Sequence, residues 1–212
     1  MHNTTYNRMS EFVLAYLHGK PDLRILDVGS YDVNGTYRAI FTGEPEPADR
    51  VRRDPKEPEP EKYIEASERL AKMDRSQWVY VGMDIREGPN VDIPMEDPEI
   101  WPLENAAFDV IVSGQTLEHV ARPECWAFEL SRVLRPGGLA CVIAPWKGDI
   151  HYRPHYWLIM PDGMRFLMET IGGLEVLKCF VEQKDCIGIA RKTSGETMKS
   201  QADSGGEAHK KE

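Results

Sequence analysis

Apolar positions along the chain switch between two periods, and the switching lays out alternating helices and strands. Tyr6, Met9, Phe12, Val13, Tyr16 and Leu17 fall on one stripe of a helix over residues 3–18. His18, Gly19 and Pro21 supply its stop. Such a helix is expected to cover a sheet edge or the mouth of a site. The run Leu23-Arg24-Ile25-Leu26 then reads as a buried strand, closed by Asp27, Gly29 and Ser30 and, after a polar loop, Asn34 and Gly35. Trp78 to Met83 predicts a second strand ending at Asp84, and Val91 to Met95 a short third. Phe108 to Ser113 is a fourth, Pro123 to Leu134 a helix, Arg135-Pro136-Gly137-Gly138 a turn and Leu139 to Ala144 a fifth strand. A helix over 161–171 leads to two strands, Gly173 to Glu182 and Asp185 to Lys192, hinged at Gln183-Lys184. Strands alternating with helices predict a mainly parallel sheet covered on both faces.

Two stretches break the plan. Gly43 to Pro60 holds Pro45, Pro47, Pro55, Pro58 and Pro60 among dense charges of both signs, which no regular element tolerates. Residues 61–75 regain a helical face through Tyr63, Ala66, Leu70 and Met73. The segment 43–77 is therefore expected to be an insertion into a single domain of residues 1–192. It is a lid, a substrate wall, a dimer contact or a solvated decoration. Residues 193–212 are Ser, Gly, Glu and Lys with almost no large apolar side chain, and are expected to be a disordered tail.

Composition narrows the function classes. The 212 residues suffice for one α/β domain, and 41% hydrophobic against 29% charged residues describes an ordinary soluble globular protein. A formal net charge of -9 argues against a nucleic-acid partner. No apolar run reaches the length of a membrane span, and the opening MHNTTYNRMSEF lacks a signal-peptide layout. Cys125, Cys141, Cys179 and Cys186 have no Cys-x-x-Cys spacing and suit reduced packing thiols of a cytoplasmic protein, with Cys179 and Cys186 facing across the final hairpin.

The stretch LRILDVGSYDVNGTY at 23–37 joins strand, acid, glycine turn and helix start, the opening unit of a nucleotide-binding fold. Glycine lets backbone approach a cofactor closely, beside the positive end of a helix. Asp84, ending the second strand, stands where an acid accepts both hydroxyls of a cofactor ribose.

The order of these pieces resembles the class I S-adenosylmethionine-dependent methyltransferases. ILDVGS at 25–30, YVGMDI at 80–85, FDVIVSGQTLEHV at 108–120 and RVLRPGGLACVIAP at 132–145 carry the resemblance, which spans Leu23 to about Lys192. It implies a Rossmann-like, doubly wound α/β sheet of seven strands, mostly parallel, with an antiparallel C-terminal hairpin strand inserted near the edge. It implies S-adenosyl-L-methionine as cofactor, with Asp27, Gly29, Ser30 and Tyr31 at its methionine end. Asp84 and Ile85 would lie at the ribose, Asp97 at the adenine amine and Trp101 beside that ring. Ser113, Gly114, Gln115 and Thr116, with His119, would pass the sulfonium and its methyl. The family turn is Asp-x-Gly-x-Gly-x-Gly, whereas Tyr31 and Asp32 interrupt the glycines here. A tyrosine does not copy a glycine at positive φ cheaply, so the loop should take another path. GSYDVNG with GQTLEHV looks like a bacterial branch related to the methyltransferase-11 group.

The acceptor implied by that branch is a small molecule, foremost a sugar or natural-product hydroxyl. An alcohol needs its proton removed, and His155 and His151, in the loop beyond the fifth strand, are the first candidates for the base, with His119 third. Each histidine has the alternative role of a structural hydrogen-bonding residue. Trp146, Tyr152, Tyr156 and Trp157 would stack on an acceptor or form a packed loop core. Asp149, His151 and His155 lack a diagnostic metal spacing, so no metal is expected. Rival readings are N-methylation of a small amine, a nicotinamide-dependent oxidoreductase and a non-catalytic cofactor-binding protein. The oxidoreductase should show Gly-x-Gly-x-x-Gly after the first strand, and the chain does not. No membrane partner is expected, and a homo-oligomer is compatible with the sequence.

Overall fold

The computed structural model describes residues 3–32, 36–44, 61–148, 150 and 152–194. The expected disordered tail from 195 on, the proline-rich loop 45–60, and Asn34, Gly35, Asp149 and His151 lie outside them. Seven strands, β1 (Arg24–Val28), β2 (Val79–Asp84), β3 (Ile93–Pro94), β4 (Phe108–Gly114), β5 (Leu134–Pro145), β6 (Glu175–Glu182) and β7 (Asp185–Arg191), form one sheet. Their order is β3-β2-β1-β4-β5-β7-β6. All neighbours are parallel from β3 to β5, and β7 runs antiparallel to both β5 and β6. This is the Rossmann-like sheet with an inserted antiparallel last strand.

Strand side chains feed two cores in strict alternation. Leu26, Val28, Ile111, Ala140 and Val142 enter one core, with Trp101 and Trp126. Ile25, Val110, Val112, Cys141 and Ile143 enter the other, with Met9, Phe12, Tyr37, Phe41 and Tyr80. A strand buried on both faces reads as a continuous apolar run, which explains VIV and ACVIA in the sequence. Helix α4 (Pro123–Val133) and the segment beginning with α5 (Pro161–Arg165) cover the first core. Helices α1 (Asn3–Phe12), α2 (Arg38–Thr42) and α3 (Glu61–Ala71) flank the second.

Several boundaries differ from the sequence expectation. Helix α1 ends at Phe12, and Val13–Leu17 is wound as a π-helix; Phe166–Ile171 after α5 is wound likewise. Arg135 to Gly138, expected as a turn, lies within the span of β5 as a bulge: from Phe108 to Val110 of β4 the partner runs from Leu134 to Leu139, and Gly137 adopts φ 80°. Lys192 N donates to Gly138 O at 2.9 Å and Gly137 N to Lys192 O at 2.7 Å, so this bulge is tied to the residue that follows β7. Of the expected third strand, Ile93 and Pro94 pair with β2, and Asp92 N and Met95 N on either side donate to Gly82 O and Asp84 O at 2.8 and 2.9 Å.

Candidate active site

The strand order reverses between β1 and β4: the chain winds outward through β2 and β3, then returns to start β4 beside β1. In open α/β sheets the crevice at that switch point, outside the carboxyl ends of the strands, takes the ligand. Here the loops leaving β1 and β4 meet. Gly29 adopts φ 81°, and a Cβ on it would collide with the Thr116 side chain; a Cβ on Gly114 would collide with the Tyr37 hydroxyl. Glycine is required at Gly29 both by conformation and by the closeness of the facing loop.

The β1 turn is held from below. Gly29 and Ser30 N both donate to Met83 O, at 2.8 and 3.2 Å, so these amides are spent within the fold. Asn90 reaches in from the loop after β2, its amide donating to Ser30 O at 2.8 Å while Ser30 Oγ donates to Asn90 O at 3.0 Å. Asp27 lies beneath this turn, 3% exposed, accepting from the Tyr80 hydroxyl. Burial pushes its carboxyl up to about 7, against the lowering effect of the Tyr80 hydrogen bond. Ser113 is also internal, its hydroxyl donating to Val28 O at 2.8 Å and fastening β4 to β1. Asp27 and Ser113 thus prop the crevice from inside the sheet.

Asp84 bridges two backbones, with Oδ2 accepting from Tyr31 N and Oδ1 from Arg86 N, each at 3.0 Å. A carboxylate has about four acceptor sites, so two remain for a ribose diol. Ile85 beside it is 56% exposed, an apolar flank at the mouth. Tyr31 has no left-handed φ. It substitutes for a glycine by a different path, using its N–H for Asp84 and its ring against Arg86, whose guanidinium carbon lies 5.4 Å from the ring centroid. Arg86 also stands 4.9 Å over the Tyr152 ring and donates to the Tyr152 hydroxyl, so a Tyr31–Arg86–Tyr152 stack joins the first turn to the loop beyond β5.

Asp97 caps a turn, Oδ1 accepting from Glu99 N at 2.8 Å. Trp101 is placed in the core. It is 3% exposed, its indole N–H donates to Pro98 O at 3.0 Å, and its ring meets Trp126 edge-on at 5.7 Å. That ring is committed to the sheet's interior, with its backbone N–H donating to the buried Glu129 carboxylate at 2.8 Å.

The segment after β4 carries the remaining chemistry. Gln115 sits at φ 58° and its amide donates to Asp185 Oδ1 at 2.9 Å. Thr5 of α1 donates to the other Asp185 oxygen at 3.2 Å, which brings the first helix to this end of the sheet. Leu117–His119 is a 3-10 turn. The loop 152–158 is stitched to it: Tyr156 N donates to Glu118 O at 2.8 Å and the Trp157 indole N–H to Val120 O at 2.8 Å. His119 and His155 meet edge-to-face with ring centroids 5.5 Å apart. His119 Nδ1 contacts Pro154 O, and because a carbonyl only accepts, this nitrogen carries the proton. Tyr152, Tyr156 and Trp157 keep roughly half their surface in solvent. Among the described residues no group of three or more His, Cys, Asp or Glu is arranged to hold a metal ion.

Sequence reasoning missed Asn90, Tyr37, Tyr80, Arg86 and Glu118. Nothing in the sequence marks Asn90 or Tyr37, whose roles come from loops folding back. Glu118 had a signal: an acid beside His119, flanked by Leu117 and Val120, in the segment already singled out.

With this geometry in place, comparison with known proteins gives a consistent answer. Residues 62–142, from α3 into β5, match the family model for a methyltransferase domain. That stretch is similar to a methyltransferase domain, and the sheet has the fold of the class I S-adenosylmethionine-dependent methyltransferases. The match begins beyond β1, where the GSYDVNG turn departs from the family pattern. A search of curated proteins gives no match. Among solved structures, the 1,6-didemethyltoxoflavin-N1-methyltransferase of Burkholderia thailandensis is 14% identical, covering 91% of this chain and 80% of that one with a TM-score of 0.56. A SAM-dependent methyltransferase from Aquifex aeolicus is 19% identical, covering 86% and 88% with a TM-score of 0.51. The cyclase SpnF is 16% identical, covering 89% and 81% with a TM-score of 0.55. These likenesses concern the fold. A methyltransferase domain of this fold implies S-adenosyl-L-methionine as cofactor.

Proposed function

We propose that this domain methylates a hydroxyl of a small molecule, a sugar or natural product, with His155 drawing the proton. The observation that carries the reading is the loop beyond β5. It sets His155 against His119 and presents Tyr152, Tyr156 and Trp157 to solvent next to the end of β4. Half-exposed aromatic rings offer flat faces to a sugar or phenol. The stitching of this loop to Glu118 and Val120 fixes the histidine relative to the cofactor crevice.

On this reading the cofactor lies across β2, β1 and β4. Asp84 accepts from the ribose hydroxyls with Ile85 beside it, and Asp97 takes the adenine exocyclic amine. Gly29 and Tyr31 line the methionine side, with Gly114 and Gln115 beneath the reacting end. When bound, the cofactor supplies a methyl already activated on a sulfonium. The protein's share is to align the acceptor, an effect worth up to ~7–11 kcal/mol, and to accept a proton, worth roughly 10²–10⁴-fold. His155 holds the acceptor hydroxyl in line and takes its proton as the oxygen–carbon bond forms. His119, with one nitrogen tied to Pro154 O, orients that ring. His151 lies outside the described residues, and its part as a second base is tested together with His155.

A panel of nucleotide sugars, glycosides and small phenols, incubated with protein and cofactor, should yield one product heavier by a single methyl in mass spectrometry. With that acceptor, His155→Ala should lower turnover by roughly 10²-fold or more while leaving cofactor affinity within about twofold. Methylation of amines alone, or full turnover in both His155→Ala and His151→Ala, would remove the histidine-base reading.

A further inference from the structure

The Glu118 side chain stands out from the rest of the molecule. It has no solvent exposure, and among the described residues neither carboxylate oxygen accepts a hydrogen bond from another residue, its own backbone N–H alone acting on it. Most buried carboxyls are paired, because a lone buried charge is far too costly. His119 Nε2 stands 3.6 Å from Oε1, beyond hydrogen-bond range. Asp185 of β7 adds a second carboxylate to the neighbourhood, and both acids act on the buried Tyr37 hydroxyl, which has no hydrogen-bond partner among the described residues. Two acids and a buried phenol therefore share the carboxyl ends of β4 and β5 and the amino end of β7, and the only described basic side chain paired with Glu118 is His119, a cation only when protonated.

The place of this cluster in the fold says what completes it. Asp84 marks the ribose at the end of β2. Strand spacing of about 4.8 Å puts the end of β4 roughly 10 Å away, across β1. The sulfur of S-adenosylmethionine is bonded to the ribose C5′, so it lies between those two strand ends, toward the β4 loop. We propose that Glu118 is the buried counter-ion of the methyl donor's sulfonium and ionises when the donor binds, but not when its neutral thioether product does. This rests on the cofactor placement proposed above.

Burial pushes the Glu118 carboxyl up to about 8, with Asp185 adding to the rise, so it is mostly protonated at pH 7 before the donor arrives. A sulfonium nearby favours the carboxylate, and the proton leaves to solvent. With the uncharged thioether product in place, Glu118 would face no cation and would take a proton back from solvent, so the product would be held less tightly than the donor. Donor binding and proton release are thereby the same event. The device discriminates donor from product with one side chain that touches no acceptor.

The test is titration calorimetry of the full chain at pH 7 in buffers of different ionisation enthalpy, with S-adenosylmethionine and with S-adenosylhomocysteine. Expected is release of close to one proton per donor bound and close to none per product bound. Glu118→Gln should abolish the release and cut the preference for donor over product by roughly tenfold, with product affinity little changed. Equal release with both ligands, or donor binding without release, overturns the counter-ion even though the cofactor reading stands. Failure of the wild-type chain to bind either ligand removes both. The wild-type measurement decides the matter even where the Glu118→Gln chain folds poorly.

Discussion

At the scale of single residues, the site depends on what each carboxyl is given to hold. Asp84 and Asp27 end neighbouring strands and face opposite fates. Asp84 keeps spare acceptor capacity beside the exposed Ile85, whereas Asp27 is sealed under the turn with the Tyr80 hydroxyl. Asp84→Ala should therefore weaken S-adenosylhomocysteine binding by about 1–3 kcal/mol through lost charge-assisted hydrogen bonds. Calorimetry of the variant checks this, and unchanged affinity would move the ribose elsewhere. The sequence marked both acids through their strands. It left their different roles open, since Asp27 and Asp84 differ only in what Tyr80, Tyr31 and Arg86 do around them. Tyr31 makes the same point. As a missing glycine it looked like a defect in the turn. In the structure it feeds its N–H to Asp84 and its ring to Arg86.

At the scale of elements, the connection between β3 and β4 is anchored by its tryptophan. Trp101 joins this connection to α4 through Trp126 and Glu129, and Arg132 closes the cluster with bonds to Glu129, Leu103 O and Trp101 O. The buried Glu129 carboxyl is held below its ordinary range by Arg132 and the Trp101 N–H, against the cost of its burial. Truncating Trp101 to Ala should cost about 3–5 kcal/mol of stability by emptying a core position. The folded fraction should still bind S-adenosylhomocysteine with nearly wild-type affinity. Denaturant unfolding with parallel calorimetry separates the two effects; a normal melt with lost affinity would return the indole to the adenine. Periodicity located the elements well, because strands buried on both faces and amphipathic helices leave strong apolar signatures. It did not see β5 begin at Leu134, since Arg135-Pro136-Gly137-Gly138 carries turn residues and stays a bulge that joins the strand only through its bonds to Lys192.

At the scale of the whole molecule, two buried carboxyls bind protons more tightly folded than unfolded. Asp27 rises from an ordinary value of 3.8 to about 7, and Glu118 from 4.5 to about 8, each mainly by burial. Between those limits the native state holds more protons than the unfolded chain, so stability falls as pH rises. Their contribution is fully present below about pH 4 and lost by about pH 8. Each unit of such displacement is worth about 1.4 kcal/mol, so the slope with pH is a sensitive readout. Urea midpoints should decline from pH 5.5 to 8.5 in the ligand-free protein, and Asp27→Asn should flatten the lower part of that decline. A midpoint that rises over the same range would mean that Asp27 is ionised in the native state.

The sequence by itself determined the α/β plan, the order of the strands along the chain and the glycine turn at the first of them. These depend on local period, turn chemistry and residue type, which are written in consecutive positions. Tertiary structure alone decided that Trp101 is core and that Arg86 bridges Tyr31 and Tyr152. It also decided that Glu118 is closed off among Asp185, Tyr37 and His119. Those outcomes depend on which loops meet at the β1–β4 switch point, and on how little water is left there once they do. Burial of that kind is a property of contacts between segments far apart in the chain, so no single stretch of sequence records it.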